Sequence, residues 1–297
     1  MKTWKMIFSC ICLLILVSCS NTNSTTTNEI NDTKKETQSD EPRIIATTLA
    51  ITEIMDALNL DLVGIPTTQY TIPKRYTGVT EVGNPMSPDV EIIKSLNPTD
   101  VLSVTTLEYD LKESFQKMEI SSQFLSLDSV ENMLATIIEL GKEYDRIEEA
   151  ENLVSSIQDK LTSTKEKTKD KEAPTVLILL GVPGGSYLVA TENSYVGNLV
   201  EVVGGKNAIT GQKPEYISAN TEYLQQTNAD VILRLSHGVP NQVAEEFEKE
   251  FSENDIWKHF NAVKNERVYD LEEPIFATTA NLNMNTAIDQ LVSMLYE

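Results

Sequence analysis

Asp128 to Leu161 reads DSVENMLATIIELGKEYDRIEEAENLVSSIQDKL. From an Asp128 cap with Glu131 three residues on, apolar side chains recur at Leu134, Ile137, Ile138, Tyr144, Ile147, Ala150, Leu153, Val154, Ile157 and Leu161, which is helical spacing. The polar run to Glu172 extends it until Pro174 forces a stop. A helix of roughly 30 to 40 residues spans roughly 45 to 60 Å at 1.5 Å per residue. Its stripe lacks strict heptads, so the spacing predicts one long helix lying across two flanking bodies, not a coiled coil. Such a strut limits hinge closure.

On its N-terminal side the pattern alternates. A strand from Arg43 to Ala46 runs through Thr47 and Thr48 into a helix from Leu49 to Leu58, followed by a strand at 61–64 and a long Pro- and Tyr-containing loop to Pro88. Helix 89–96, strand 100–104, helix 111–118 and strand 123–127 complete this half. A second series follows Pro174: strands 175–180 and 187–190, helices 195–203 and 221–226, strand 230–235, helix 241–251, strand 267–270 and a last helix 284–296. Strands alternating with helices of this length imply parallel, two-sided sheets. The expected fold is therefore α/β, with two Rossmann-like βα lobes (43–127 and 174–297) bridged by one long α-helix (128–173).

The lobes echo one another. Val90-Glu91-Ile92-Ile93-Lys94-Ser95-Leu96-Asn97-Pro98-Thr99-Asp100-Val101-Leu102 returns, one residue shorter, as Thr221-Glu222-Tyr223-Leu224-Gln225-Gln226-Thr227-Asn228-Ala229-Asp230-Val231-Ile232. Each is a helix, an Asn-containing turn and a buried strand. Glu91 and Glu222 fall at the same place in the first helical turn, where acidic residues stabilise the positive end.

The first residues are a different kind of segment. Lys2 and Lys5 precede an apolar run, Met6 to Val17, about 12 residues long and too short for a spanning helix of about 20. It predicts a signal peptide over 1–18. Leu16-Val17-Ser18-Cys19 resembles the lipobox of bacterial lipoproteins, in which the Cys becomes the diacylated first residue. Ser20 to Glu41 has one aliphatic residue, Ile30, so residues 19–42 are read as a lipidated Cys and a disordered linker. The chain is then expected on the outer face of the cytoplasmic membrane, held there through its lipid anchor alone. Of three cysteines, Cys10 and Cys12 leave with the leader and Cys19 carries the lipid, so the folded body has neither a disulfide nor a thiol metal site.

Charge narrows the partners. With 24 Lys and Arg against 45 Asp and Glu, the formal charge of -21 opposes approach to nucleic acid and to an anionic membrane surface. Catalytic signatures are lacking: the chain has two His and no Gly-x-Ser-x-Gly, His-Glu-x-x-His, Walker lysine or Gly-x-Gly-x-x-Gly after a strand. Gly181-Val182-Pro183-Gly184-Gly185-Ser186 reads as a turn between two strands. His259 sits among packing signals. His237 instead follows the apolar strand 230–235 directly, and ligands of α/β folds bind outside the carboxyl ends of strands. Met86 lies in Gly83-Asn84-Pro85-Met86-Ser87-Pro88, a Pro-stiffened loop leading to the Glu91 helix. Thioether and imidazole, one from each lobe, form an axial pair suited to haem iron.

From Arg43 to the C-terminus the chain resembles the haem-receptor lipoproteins of the iron-regulated surface determinant system of Gram-positive bacteria. The resemblance rests on Val82-Gly83-Asn84-Pro85-Met86 with Pro88-Asp89-Val90-Glu91, Val101-Leu102-Ser103-Val104, Val176-Leu177-Ile178-Leu179 and Ser186-Tyr187-Leu188-Val189-Ala190-Thr191. It continues in Ile232-Leu233-Arg234-Leu235-Ser236-His237-Gly238 and in Asn254-Asp255-Ile256-Trp257-Lys258-His259-Phe260, running on to Val268-Tyr269-Asp270-Leu271-Glu272-Glu273. It implies a substrate-binding protein of an ABC importer that carries haem between Met86 and His237, and no enzyme. It implies too that Glu91 and Glu222 form salt bridges with Arg residues of the permease, which works with its ATPase; upstream cell-wall haem proteins are possible donors. One departure is in Thr67-Thr68-Gln69-Tyr70, where Thr68 is a haem-contact candidate and Tyr70 stands in place of the family's expected lysine. Haem carboxylates are then left to the backbone N–H groups where the helix begins, at Thr48, Leu49 and Ala50. The rival readings are a ferric-siderophore or cobalamin receptor of the same fold, which calls for a cleft rich in Arg, Trp and Tyr, and a haem electron-transfer protein.

Overall fold

In the computed structural model, which describes residues 41–297, the first strand shows how the lobes are layered. Ile44 and Ala46 of β1 (Ile44–Ala46) face one apolar layer and Ile45 the other, as the two-residue period of a strand requires. The expected leader, Cys19 and the linker through residue 40 lie outside the described residues.

The N-terminal lobe continues with α1 (Leu49–Ala57), β2 (Leu62–Ile65), β3 (Thr80–Glu81), a hairpin of β4 (Gly83–Asn84) and β5 (Ser87–Pro88), α2 (Val90–Ser95), β6 (Asp100–Val104), α3 (Glu108–Lys117) and β7 (Ser122–Leu125). Its sheet has the order β3-β2-β1-β6-β7 with every pair parallel. Strand order reverses beside β1, the crossover geometry of a doubly wound fold.

The bridging segment differs from the expected single helix 128–173. It is two helices, α4 (Val130–Glu143) and α5 (Ile147–Thr168). Asp145 turns left-handed at φ 55°, and the Arg146 N–H donates to the Gly141 carbonyl at 2.6 Å, a bond that closes a helix C-terminus. The chain then folds back so closely that a Cβ on Gly141 would lie 2.4 Å from the Ala150 Cβ. The long helix that bridges the lobes is therefore α5, starting at Ile147; it packs on α1 of one lobe and on two helices of the other.

Those two, α6 (Tyr195–Val202) and α10 (Met284–Tyr296), belong to the C-terminal lobe, with β8 (Thr175–Val182), β9 (Ser186–Ala190), β10 (Lys206–Asn207), β11 (Tyr216–Ser218), α7 (Thr221–Gln226), β12 (Val231–Ser236), α8 (Pro240–Glu253), α9 (Asn261–Lys264) and β13 (Val268–Leu271). The order is β11-β9-β8-β12-β13, with β10 also on β8. β8, β12 and β13 run parallel and β9 antiparallel to β8.

Alternation carries through both sheets. Ile44 and Leu102 of one lobe and Ile178 and Leu233 of the other join a single core under α5, while Ile45 and Val101, or Leu177 and Ile232, fill a separate outer layer in each lobe. Each such aliphatic side chain contributes about 1.5–3 kcal/mol on burial. A core shared across the lobes leaves little freedom for them to swing apart, so the site between them is held largely preformed.

Candidate ligand cleft

The strand ends of both lobes converge. β1 delivers Thr47 and Thr48, β6 delivers Thr106 and Leu107, β12 delivers His237, and β13 delivers Glu273. A cleft of about 210 Å³, open to solvent, lies between them, lined by Thr48, Leu49, Ala50, Thr68, Met86 and His237, that is, by every residue expected to contact the ligand.

On the N-terminal side Thr48 caps α1, its hydroxyl accepting from the Ile51 N–H at 3.4 Å. The N–H groups of Leu49 and Ala50 belong to the first helical turn, where no backbone acceptor precedes them, and no acidic side chain occupies that turn. Thr68 is less free: its hydroxyl accepts the Tyr70 N–H at 3.2 Å, which shapes the loop. Met86 stands at the tip of the β4–β5 hairpin. The Asn84 carboxamide takes the Met86 N–H at 2.9 Å and the Thr67 N–H donates to Gly83 at 2.9 Å, so the tip is anchored to the sheet. Met86 is 66% exposed, a poor place for an apolar residue with no ligand to meet.

On the C-terminal side β12 is buried along its whole length up to Ser236. Gly238 then takes φ 81°, a conformation open to glycine, which turns the chain sharply into α8 and leaves His237 at the corner. The His237 ring meets Glu273: Nδ1 lies 2.6 Å from Oε1. A carboxylate acceptor places the neutral ring's proton on Nδ1 and leaves Nε2 as the donor for a metal, the usual arrangement behind a ligating histidine. The second oxygen of Glu273 accepts the Tyr70 hydroxyl of the other lobe at 2.6 Å. Burial, and then the hydrogen bond to Glu273, push the Tyr70 phenol up to about 12, so it remains a proton donor at physiological pH.

Glu273, Glu53 and, from the loop before α10, Ala277, Thr278, Thr279, Asn281 and Asn283 also line the cleft, and none of them is singled out by a motif in the sequence. Glu273 follows the end of β13 as His237 follows the end of β12, but as the second of two adjacent acids it reads as part of a solvated turn. Glu53 lies on α1 one turn beyond Ala50; burial raises its carboxyl above the ordinary value, partly offset by hydrogen bonds from Asn283 and Leu282. Among the described residues no Lys, Arg or Trp lines the cleft. His259 is exposed on a 3-10 turn elsewhere. The Gly181 to Ser186 segment is a turn between β8 and β9, and the Glu246 carboxylate accepts its Gly184 and Gly185 N–H groups. Glu91 and Glu222 are exposed, outside the cleft, in the first turns of α2 and α7.

Two α/β lobes sharing a core along one long helix, with a ligand cleft at their facing strand ends, define a two-lobed solute-binding protein. The chain belongs to the periplasmic binding protein family, whose sequence profile matches residues 44–275. It is 44% identical over 292 residues to the high-affinity heme uptake system protein IsdE of Staphylococcus aureus, covering 97% of this chain and 95% of that one. Among solved structures, an ABC transporter substrate-binding protein from Listeria monocytogenes is 52% identical with a TM-score of 0.82, over 86% of this chain and 99% of that one. The structure of S. aureus IsdE complexed with heme is 46% identical with a TM-score of 0.84, over 86% and 100%.

Proposed function

We propose that this protein is a haem receptor that delivers haem to an ABC importer for iron acquisition, and that Met86 and His237 are the axial ligands of the iron. The observation that carries the reading is that these two side chains, of complementary ligand chemistry, line one cleft from opposite lobes. An iron already held by four porphyrin nitrogens needs one donor on each face, and a soft thioether with an imidazole supplies them. The hydrophobic part of a porphyrin suits the lining of Pro85, Val104, Leu107 and Ala277. Its carboxylates would be met by the first-turn N–H groups of Leu49 and Ala50, an anion site that needs no basic side chain. The lack of Arg and Trp in the lining disfavours a siderophore or cobalamin receptor.

The finer parts of the reading follow from the same frame. Glu91 and Glu222 would dock on Arg residues of the permease, Cys19 would carry the lipid that keeps the receptor on the outer face of the cytoplasmic membrane, and cell-wall haem proteins would be the donors. Tethering raises effective concentration at the permease, so docking need not be tight. No reaction is part of the proposal.

The test is an absorption titration of the body from Ser20 to Glu297 with haemin, beside Met86→Ala and His237→Ala. The expected result is a saturable one-to-one, six-coordinate low-spin spectrum that becomes high-spin or fails to form in the variants. No haem uptake, with thermal protection by a ferric siderophore or cobalamin instead, would overturn it.

A further inference from the structure

Glu273 is shared between the lobes. Its side chain is 9% exposed and receives one donor on each oxygen: His237 Nδ1 on Oε1 from its own lobe, and the Tyr70 hydroxyl on Oε2 from the other, both at 2.6 Å. Gln69 steadies the phenol, its amide donating to the Tyr70 oxygen at 3.3 Å. Tyr70 and Glu273 together also form the wall between the ligand cleft and a second solvent-open cleft of about 630 Å³ beside the start of α8.

A carboxylate behind a ligating imidazole raises its donor strength by drawing on the Nδ1 proton. Hydrogen bonds in such a chain polarise one another, and a donor on one carboxylate oxygen draws charge from the other. The Tyr70 hydroxyl therefore weakens the pull of Oε1 on His237. We infer that Tyr70 is a positioning residue that sets the donor strength of His237 through Glu273, so that the ligand carried by one lobe is tuned by contact with the other. This rests on the haem reading for its consequence at iron, though the coupling itself is a property of the ligand-free protein.

Tyr70→Phe and Glu273→Gln separate the idea from a merely structural latch. In the haem-loaded protein, Tyr70→Phe leaves the carboxylate free to pull harder on Nδ1–H, which favours ferric iron, so the midpoint potential falls. Glu273→Gln replaces the anion by a neutral acceptor, and the potential rises. Opposite signs are expected; a latch that only holds the lobes together shifts both the same way, and that result, or no shift in Tyr70→Phe, overturns the proposal. A ligand-free readout covers the case in which haem is not the cargo. The chain has two His, so with His259→Gln the remaining ring is that of His237, and its Nδ1–H proton resonance should move downfield in Tyr70→Phe. An unchanged resonance sinks the coupling whatever the ligand is, whereas a moved resonance in a protein that takes up no haem retains the coupling and removes the haem reading alone.

Discussion

Glu91 and Glu222 occupy the same position in two equivalent units. Each is the second residue of a six-residue helix, capped by Asp89 in one lobe and Asn220 in the other, and each helix leads through a left-handed Asn, Asn97 at φ 45° or Asn228 at φ 52°, into a strand of its sheet. Among the described residues neither carboxylate is taken up by an ion pair. As caps they would be redundant, since the neighbouring Asp89 and Asn220 side chains already accept the first-turn N–H groups. Glu91→Ala and Glu222→Ala should therefore leave haem binding unchanged and cost no more than the helix-end contribution of about 0.3–1 kcal/mol each, while each lowers haem uptake by cells about tenfold, the effect of losing one interfacial pair of about 1.4 kcal/mol. Uptake of labelled haem measures it; a wild-type rate in the double variant rules out docking through these residues.

Met86→Ala and His237→Ala should both abolish six-coordinate binding, but they should differ in stability. Met86 is exposed at a hairpin tip, so its truncation costs less than about 0.5 kcal/mol. His237 is the partner of a buried carboxylate, and its removal leaves Glu273 Oε1 unpaired, a cost of about 1–3 kcal/mol. Urea denaturation of the ligand-free variants measures the difference.

The parts of the molecule that could be read in one dimension are those that repeat a period. The strand Asp100–Val104 announces itself as a buried apolar run, the Asn97 and Asn228 turns by their place in the internal repeat, and His237 by following a strand end. The break at Asp145 does not, because α4 and α5 place apolar residues on faces whose spacing carries across a three-residue turn; what ends the first helix is the left-handed Asp145 and the close approach of Ala150 to Gly141. Glu273 is hidden for another reason. Two adjacent acids after a strand look like a solvated turn until the fold brings Tyr70, 203 positions away, onto the carboxylate.

Arg234 shows what the buried charges of the C-terminal lobe cost to disturb. Its guanidinium, 6% exposed, lies over the rings of Phe247 and Phe251, and pairs with Asp270 through two bonds of 2.6–2.7 Å and with Glu248 through one of 2.6 Å. Glu248 is mostly exposed, so Glu248→Ala should cost less than about 1 kcal/mol. Asp270→Ala removes the bidentate partner and leaves a buried cation half-compensated, and should cost about 3 kcal/mol. Equal losses in denaturant titrations would contradict this ranking.

Glu53 yields a prediction with a defined sign. Burial raises its carboxyl above the ordinary 4.5, and the Asn283 and Leu282 hydrogen bonds offset only part of this. A folded-state value above the unfolded one means that the favourable contribution is complete below about pH 4.5 and is lost as pH rises through the folded value, where the folded protein must hold a buried anion. Glu53→Gln has no proton to lose. It should therefore be more stable than the parent at pH 7 and lose that advantage as pH is lowered to about 4. At the alkaline end the same sign applies to Tyr70, whose contribution is present below pH 10 and is lost as pH rises through about 12. Melting temperatures of Glu53→Gln and parent across pH 4 to 8 measure the first effect, and a constant difference over that range would show that the Glu53 carboxyl titrates alike in the folded and unfolded chains.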